Sequence, residues 1–349
     1  MNIKIKLILF LGLVCFLHSC TKKEFEGPSI DILYSDFEVI EPLKIINKNP
    51  SFSSNEQVSF HCEFNKPVQW KIAIMGLSTS ANRQITGFSN LIDSNIIVWK
   101  GGPSQVPFFS EEVCAIELTF ENETDTLRDT INIVSAKTYE NGVWFEDFED
   151  GLPVNGLVYY NTDGGGMTFS VANDDALLGN SYFKMGGRVN WDWPLGNLDL
   201  PLNITNVGQA SDDLYINIGI LSDLQDLHTG QFINILISEE TDIPFNDNLD
   251  NNASDLFEST MEVYKIKVPV DWNGWKLKSF RYSDFEPVSP NNPDINFNMN
   301  PNDIRAIRIA CQACPSSSGN PICPENFGKD VRTDIDHIIF TTNSSLLDQ

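Results

Sequence analysis

Short runs of apolar residues, separated by turn residues, follow one another from about residue 50 to the end of the chain. The runs are rich in Val, Ile, Phe and Trp, and many alternate apolar with polar positions, which is the pattern of β-strands. This part of the sequence contains no long segment with the period of an amphipathic helix. We predict strands at VSFHCEF, VQWKIAIM, NIIVWK, CAIELTF, TINIV, LYINIGIL, QFINILIS, EVYKIKVPV, WKLKSFRYSDF, IRAIRIA and TDIDHIIFT. The pattern therefore predicts an all-β protein with two successive β-sandwiches.

The first twenty residues follow a different pattern, in which two lysines precede an apolar run from Leu7 to Leu17. The run is too short to cross a bilayer as a permanent helix, so it predicts a signal peptide. Leu17, Ser19 and Cys20 resemble the lipobox of bacterial lipoproteins. This resemblance implies cleavage before Cys20 and a lipid on its sulfur, which would anchor the chain at a membrane. The alternative is an uncleaved anchor, or an ordinary signal peptide with a chance cysteine.

Three residues of the first predicted sandwich, Cys62, Trp70 and Cys114, each lie in a separate predicted strand. Together with the order of the strands and the segment ENETDTLRDTINIVSA, they resemble the polycystic-kidney-disease (PKD) type of immunoglobulin-like (Ig-like) domain of bacterial surface proteins. The resemblance implies an Ig/PKD-like sandwich in which Trp70 packs against a Cys62–Cys114 disulfide. Two free, buried thiols are the alternative. We interpret this domain as a spacer.

The second predicted sandwich carries five motifs in order along the chain. They are FEDFEDG (145–151), GNSYFKM (179–185), WKL with FRYSDF (275–285), NDIRAI (302–307) and DIDHI (334–338). The ordered set resembles carbohydrate-binding modules with a galactose-binding-like β-jelly roll, which implies that fold and a sugar ligand. The predicted segments are thus a signal peptide over 1–19, a lipidated cysteine and tether over 20–45, an Ig/PKD-like spacer over 46–138 and a larger jelly-roll sandwich over 143–345.

Carboxylates near both ends of this jelly roll predict a metal site. Asp147 and Glu149 are two positions apart on a strand, so both side chains point to one face. Asp336 lies on the last strand, which in this fold lies near the first. Members of the family that the chain resembles hold a structural calcium ion there, and oxygen ligands suit Ca²⁺. The resemblance implies Ca²⁺ binding by Asp147, Glu149 and Asp336; an exposed acidic edge is the alternative.

Sugar binding requires flat apolar rings with a few planar hydrogen-bonding groups around them. The densest supply of both is the segment from Arg188 to Trp193, where two tryptophans share one face of an extended chain. The predicted ligand-binding residues are Trp191, Trp193, Arg188, Asn190, Asp192, Tyr160 and Trp272. Core packing of the tryptophans is the alternative.

The charge of the chain narrows the choice of partners. The sequence has 23 Lys and Arg residues against 48 Asp and Glu residues, a formal net charge of −25. This charge excludes nucleic acid and disfavours anionic lipid surfaces and sulfated or uronic polymers, because like charges repel. A neutral polysaccharide or a cation suits it better.

The segment CQACPSSSGNPIC contains Cys311, Cys314 and Cys323. A structural zinc ion requires four ligands, and only a distant His228 or His337 is available to complete the set. In an oxidising compartment a disulfide that closes this loop is the better interpretation, with its pairing open.

The sequence also lacks the common catalytic patterns. It has no E-x-D-x-x-E strand of retaining β-glucanases, no Gly-x-Ser-x-Gly, no His-Glu-x-x-His and no phosphate loop. We therefore predict that the chain is not an enzyme. A glycoside hydrolase of jelly-roll type, and an adhesion or structural lipoprotein that binds protein, are the alternatives.

An anchor, a tether, a spacer and a module-like sandwich together resemble the surface glycan-binding lipoproteins of Bacteroidota polysaccharide-utilisation systems. The resemblance implies polysaccharide capture at the outer membrane, facing the cell exterior, for a partner outer-membrane transporter and surface glycanases. Lys22 and Lys23 depart from the acidic export signal of such lipoproteins, which leaves a location facing the periplasm open.

Overall fold

The computed structural model describes residues 36–160, 166–189, 195–205, 207–208, 210–223, 231–239, 262–293, 296–313 and 327–348. Over these residues the chain forms antiparallel β-strands in three hydrogen-bonded sheets, joined by loops and short 3₁₀ turns. The predicted all-β class is therefore confirmed. In the described part of the chain, no helix has the length and apolar character needed to span a membrane.

The first sheet lies in the N-terminal part of the chain. Its strands are β1 (Val39–Ile46), β2 (Val58–Gly76), β3 (Asn82–Ile92), β4 (Val98–Trp99), β5 (Val113–Phe120) and β6 (Thr126–Asn132). The 19-residue strand β2 pairs with β1, β3, β4 and β5, and its alternate residues are buried on one face. Side chains from strands along the whole of β2, among them Phe60, Ile72 and Leu118, therefore meet in a single core.

The predicted disulfide between Cys62 and Cys114 is wrong, because both cysteines are buried free thiols. The segments VSFHCEF and VQWKIAIM, predicted as separate strands, are both part of β2. Cys62 pairs with Ile92 near the start of β2, whereas Cys114 pairs with Gly76, the last residue of β2. The two cysteines thus lie toward opposite ends of one long strand, and a disulfide requires Cα atoms within about 7 Å.

Trp70 is buried, but its neighbours differ from those predicted. Its indole Nε1 donates a hydrogen bond to Ser89 Oγ at 3.0 Å. Its ring lies on Gly87 of the neighbouring strand, where a Cβ atom would stand within 2.2 Å of the ring. Trp70 therefore packs between strands β2 and β3 and not against a disulfide.

Two further sheets form the larger sandwich. Strands of the second sheet are β7 (Trp144–Glu146), β9 (Thr168–Ala172), β10 (Tyr182–Arg188), β12 (Leu214–Asp223), β15 (Gly274–Arg281) and β18 (Asp330–Thr342). Strands of the third sheet are β8 (Leu157–Tyr160), β11 (Gly196–Pro201), β13 (Phe232–Ser238), β14 (Val263–Pro269), β16 (Glu286–Pro287) and β17 (Ala306–Gln312). The second sheet has the order β15-β12-β18-β10-β9, with β7 beside β18, and the third has the order β16-β14-β13-β17-β11-β8. Apolar side chains of both sheets share one core, which confirms a second, larger β-sandwich.

A smaller apolar cluster joins the first sheet to the larger sandwich. It comprises Phe108, Tyr139, Leu277, Ile339 and Leu346. The Phe108 and Tyr139 rings lie 4.1 Å apart between centroids. The two units therefore share a packed junction.

Cys311 lies on β17 in the core of the larger sandwich and is also a buried free thiol. A disulfide that closes the segment after it therefore does not include Cys311. Cys314 and Cys323 lie outside the described residues, as do the predicted signal peptide and Cys20.

Candidate functional site

The face of the third sheet that points away from the core carries a group of planar polar side chains. Alternate residues of β11, β13 and β17 pack in the core, and these are Leu198, Leu200, Ile233, Ile235, Ile237, Ile307 and Ile309. The residues between them lie on the opposite face, because successive side chains of a strand point to opposite sides. There the strand register brings Asn197 level with Asn234, and Asp199 level with Arg308. We call this group the polar sheet face; it consists of Asn197, Asp199, Asn234, Arg308 and Gln312.

Hydrogen bonds hold these side chains in place. Arg308 donates from Nε and Nη2 to the two carboxylate oxygens of Asp199, both at 2.7 Å, in the bidentate geometry of strong ion pairs. Asn197 Nδ2 donates to Asp199 Oδ1 at 2.9 Å, and Asn234 Nδ2 donates to Gln312 Oε1 at 3.3 Å. Burial raises the pKa of Asp199 above its ordinary value, while the Arg308 hydrogen bonds oppose that rise. The network thus fixes the orientation of its amide, carboxylate and guanidinium groups.

Aromatic and basic side chains border the polar sheet face. Lys267 Nζ lies 3.8 Å from the centroid of the Phe232 ring at one side. Tyr159 of β8 is level with Asn197 at the other side and is half-buried. Lys267 is exposed, whereas the side chain of Asp199 is fully buried. Planar hydrogen-bonding groups beside aromatic rings form the combination that carbohydrate recognition uses.

Two of the predicted ligand residues, Arg188 and Tyr160, end strands of different sheets. Arg188 is exposed at the end of β10, with its Nε atom 3.5 Å from Asp330 Oδ1. Tyr160 ends β8 and stacks on Phe169 at 5.4 Å between ring centroids. Tyr160 lies on the core side of β8, next to Tyr159 on the polar side. Their ligand-binding roles stay predictions; the other predicted residues of this stretch, Asn190, Trp191, Asp192 and Trp193, lie outside the described residues.

The prediction of a ligand-binding Trp272 is wrong. Only 6% of this residue is exposed, and it belongs to the core of the larger sandwich. Its Nε1 donates to the Ile220 carbonyl at 3.4 Å, and the ammonium groups of Lys276 and Lys278 lie about 5 Å from its ring centroid. The ring therefore presents no open face to a sugar, although its polar sequence neighbours indicate a turn at the surface.

The three carboxylates predicted as calcium ligands each accept a hydrogen bond from a backbone N–H group. Asp336 Oδ2 accepts from Leu177 at 2.8 Å, Glu149 Oε1 accepts from Asn180 at 2.6 Å, and Asp147 Oδ1 accepts from Glu149 at 3.1 Å. Burial raises the pKa of Asp336 to about 7, and the charge of Asp147 adds to this rise. In the ranges that the structure describes, no three His, Cys, Asp or Glu side chains are grouped to hold one metal ion. The predicted ligand set is therefore wrong as a group of three, and calcium binding itself stays a prediction.

The polar sheet face was not predicted from the sequence, although a signal for it exists. Its residues occupy alternate positions within otherwise apolar strands, as in Asn197 and Asp199 of GNLDLP or Arg308 and Gln312 of AIRIACQ. An alternating strand has two faces, and a polar side chain next to a core position marks the face opposite the core. The sequence prediction relied instead on the two tryptophans of the segment from Arg188 to Trp193.

Comparisons with known proteins give distant structural similarity only. No protein-family model and no curated protein sequence matches the chain. A surface glycan-binding protein from Prevotella bryantii is 12% identical, with a TM-score of 0.37, over 89% of this chain and 77% of that chain. The tandem CBM22 domains of Paenibacillus barcinonensis Xyn10C are 11% identical, with a TM-score of 0.33, over 91% of this chain and 95% of that chain. The K3 cleaved adhesin domain of the Lys-gingipain of Porphyromonas gingivalis is 11% identical, with a TM-score of 0.32, over 57% of this chain and 98% of that chain. At these values the similarities establish neither a family nor a function for this chain.

Proposed function

We propose that the protein binds a polysaccharide on the polar sheet face and does not cleave it. One observation carries this proposal: Asn197, Asp199, Asn234, Arg308 and Gln312 form hydrogen-bonded pairs on the sheet face opposite the core. Core packing does not require polar groups there, and buried polar side chains cost stability unless they are hydrogen-bonded. Asn234 and Arg308 are the partly exposed members of the group, and pre-oriented planar groups of this kind match pairs of sugar hydroxyls.

The carboxylates near the polar sheet face favour binding over hydrolysis. Glycoside hydrolysis uses two carboxyl groups on opposite sides of one glycosidic bond. Asp199 is engaged by both nitrogens of the Arg308 fork. Glu239, whose pKa is raised to about 7 mainly by burial, accepts hydrogen bonds from the Tyr282 hydroxyl and the Asn300 N–H. Glu239 directly follows the outward-facing Ser238 on β13, so it lies on the core side of the sheet, away from Asp199.

We also propose that the protein acts at a membrane surface. A lipid at Cys20 would hold it at the outer membrane, facing the cell exterior, where it would pass a neutral polysaccharide to a transporter and to surface glycanases. The support for this part is the resemblance of the N-terminal sequence to lipoproteins and the acidic charge of the chain.

Affinity gel electrophoresis tests the proposal. The chain from Thr21 to Gln349 is run in gels that contain β-glucans, mannans, xylans or α-glucans. We expect one of these polysaccharides to retard the protein. The variant Asn234→Ala removes a half-buried amide of the polar sheet face and should reduce the retardation; the matched control Asn273→Ala, at an exposed loop, should not.

Three outcomes would contradict the proposal. Retardation that is unchanged in Asn234→Ala would place the ligand elsewhere. Release of reducing sugar from the retarding polysaccharide would show an enzyme. No retardation by any polysaccharide would favour the adhesion or structural alternative.

A further inference from the structure

A cavity of about 410 Å³ lies where the first sheet meets the segment that leads to the larger sandwich. The lining residues are 52, 53, 55, 56 and 100 from the first unit, 137, 138, 139 and 141 from the connecting segment, and Leu346 from the C-terminal 3₁₀ turn. The volume lies within the range of small-molecule sites, and both units contribute to its walls. The polar sheet face contributes none of the lining residues.

Basic side chains gather at this cavity although the chain as a whole is strongly acidic. Lys100 and Lys137 line it, and Lys137 Nζ lies 5.7 Å from the centroid of the Tyr139 ring. Arg83 is close by: burial lowers the pKa of Lys137 first, and the charges of Lys100 and Arg83 lower it further. The Arg83 Nε atom is buried and has no hydrogen-bond partner among the described residues. Lys100 and Lys137 thus place two positive charges at the wall of this cavity, and positive charge favours an anionic ligand there.

The cavity wall also carries groups that can bind sugar hydroxyls. Asn55 and Asn141 provide amide groups, while Phe52 and Tyr139 line the cavity from buried positions. Glu56 also lines the cavity and carries a negative charge. Its Oε2 atom accepts hydrogen bonds from Ser51 N at 2.9 Å and from Asn47 Nδ2 at 3.0 Å. These bonds lower the pKa of Glu56, and both donors are neutral groups and not the lysines of the cavity.

We propose that this cavity binds a small sugar that bears a carboxylate, of the hexuronic acid type, with the carboxylate at Lys100 and Lys137 and the hydroxyl groups at the Asn55 and Asn141 amides. The site is separate from the polar sheet face and does not depend on it. The anion is bound locally even though the net charge of −25 disfavours long uronic polymers, because a Debye length of about 8 Å at physiological salt screens the distant carboxylates.

Isothermal titration calorimetry with the chain from Thr21 to Gln349 tests this proposal, with glucuronate and galacturonate as probes. Glucose serves as the neutral probe and inorganic phosphate as the small anion. We expect one uronate to bind more tightly than both. The variant Lys100→Gln, which changes an exposed side chain and should fold, is expected to weaken uronate binding by about tenfold, since hydrogen bonds to charged groups contribute that much.

The matched control is Lys71→Gln, an exposed lysine of β2 that does not line the cavity. It should leave uronate binding unchanged. The proposal would be overturned if glucose or phosphate bound as tightly as the uronates. It would also be overturned if Lys100→Gln had no effect on uronate binding, or if Lys71→Gln had an equal effect. The variant Asn234→Ala separates this site from the polar sheet face: retained uronate binding supports the cavity, and lost uronate binding overturns it.

Discussion

Replacing Arg308 by Met should strongly destabilise the larger sandwich. The Asp199 side chain is 0% exposed, and Arg308 supplies two of its three hydrogen bonds, with Asn197 supplying the third. Removal of one partner of a buried ion pair costs about 3–5 kcal/mol, because it leaves a buried charge without compensation. Arg308 itself keeps 13% of its side chain exposed, so we expect the lower end of that range, about 3 kcal/mol.

The pH dependence of this loss has a definite sign. Burial already raises the pKa of Asp199, and without Arg308 the folded-state pKa rises further. The unfolded chain then releases this proton at a lower pH than the folded chain does. Stability of the variant therefore falls as the pH increases above the unfolded pKa of about 4, and its deficit should be larger at neutral pH than at pH 5.

Urea unfolding at the two pH values, followed by tryptophan fluorescence, measures these changes. The control is Arg128→Met, which breaks the exposed ion pair with Glu117 and should change stability far less. The double variant Arg308→Met with Asp199→Leu should recover most of the loss, because no buried charge remains. A loss in Arg308→Met as small as in the control, or a double variant less stable than the single one, would refute this reasoning.

Three other predictions concern His337, the cysteines and the calcium site. Burial lowers the pKa of His337 to about 4, so the unfolded state binds more protons between about pH 4 and 6.5, and stability falls as the pH decreases through this window. Asparagine suits the local φ of 50°, so His337→Asn should fold and should reduce the acid-induced loss of unfolding free energy by about 2–3 kcal/mol. Urea unfolding across this pH range measures the loss, and an equal pH dependence of stability in the two proteins would contradict the prediction. Alkylation of the unfolded protein without reductant should label Cys62 and Cys114, as peptide mass spectrometry can check. A disulfide-linked peptide that contains both cysteines would contradict this prediction. Calcium binding stays a prediction: chelation of calcium should lower the melting temperature, and a melting temperature that chelation leaves unchanged would contradict it.

The local pattern predicted where most strands lie, but it did not predict which strands pair. Short apolar runs located β12, β13 and β18 within a few residues, because strands buried on both faces read as nearly continuous apolar runs. The residues Asn65-Lys66-Pro67, however, read as a turn between two strands. In the structure β2 continues through them with a shift in register between Glu63 and Val68, and proline is tolerated at such irregularities. The disulfide prediction was wrong for the same reason, because Cys62 and Cys114 lie toward opposite ends of this continuous strand.

The candidate site depended even more on distant contacts. Trp272 has polar neighbours in sequence, but its ring packs under β12, about fifty positions earlier in the chain. Asp199 and Arg308 meet only because β11 and β17 pair, and no local pattern specifies that pairing. Sequence alone thus identified polar and aromatic residue types suited to a ligand, while the sheet topology decided which of them share a face.

The position of β18 has a consequence for the order of folding. It is the last of the described strands in sequence, yet it lies in the interior of the second sheet, between β12 and β10. Its pairing with β7 joins residues about 190 positions apart, and such distant contacts slow folding. The strands on its two sides, β15 and β12 on one and β10 and β9 on the other, are therefore joined into one sheet only when β18 enters between them.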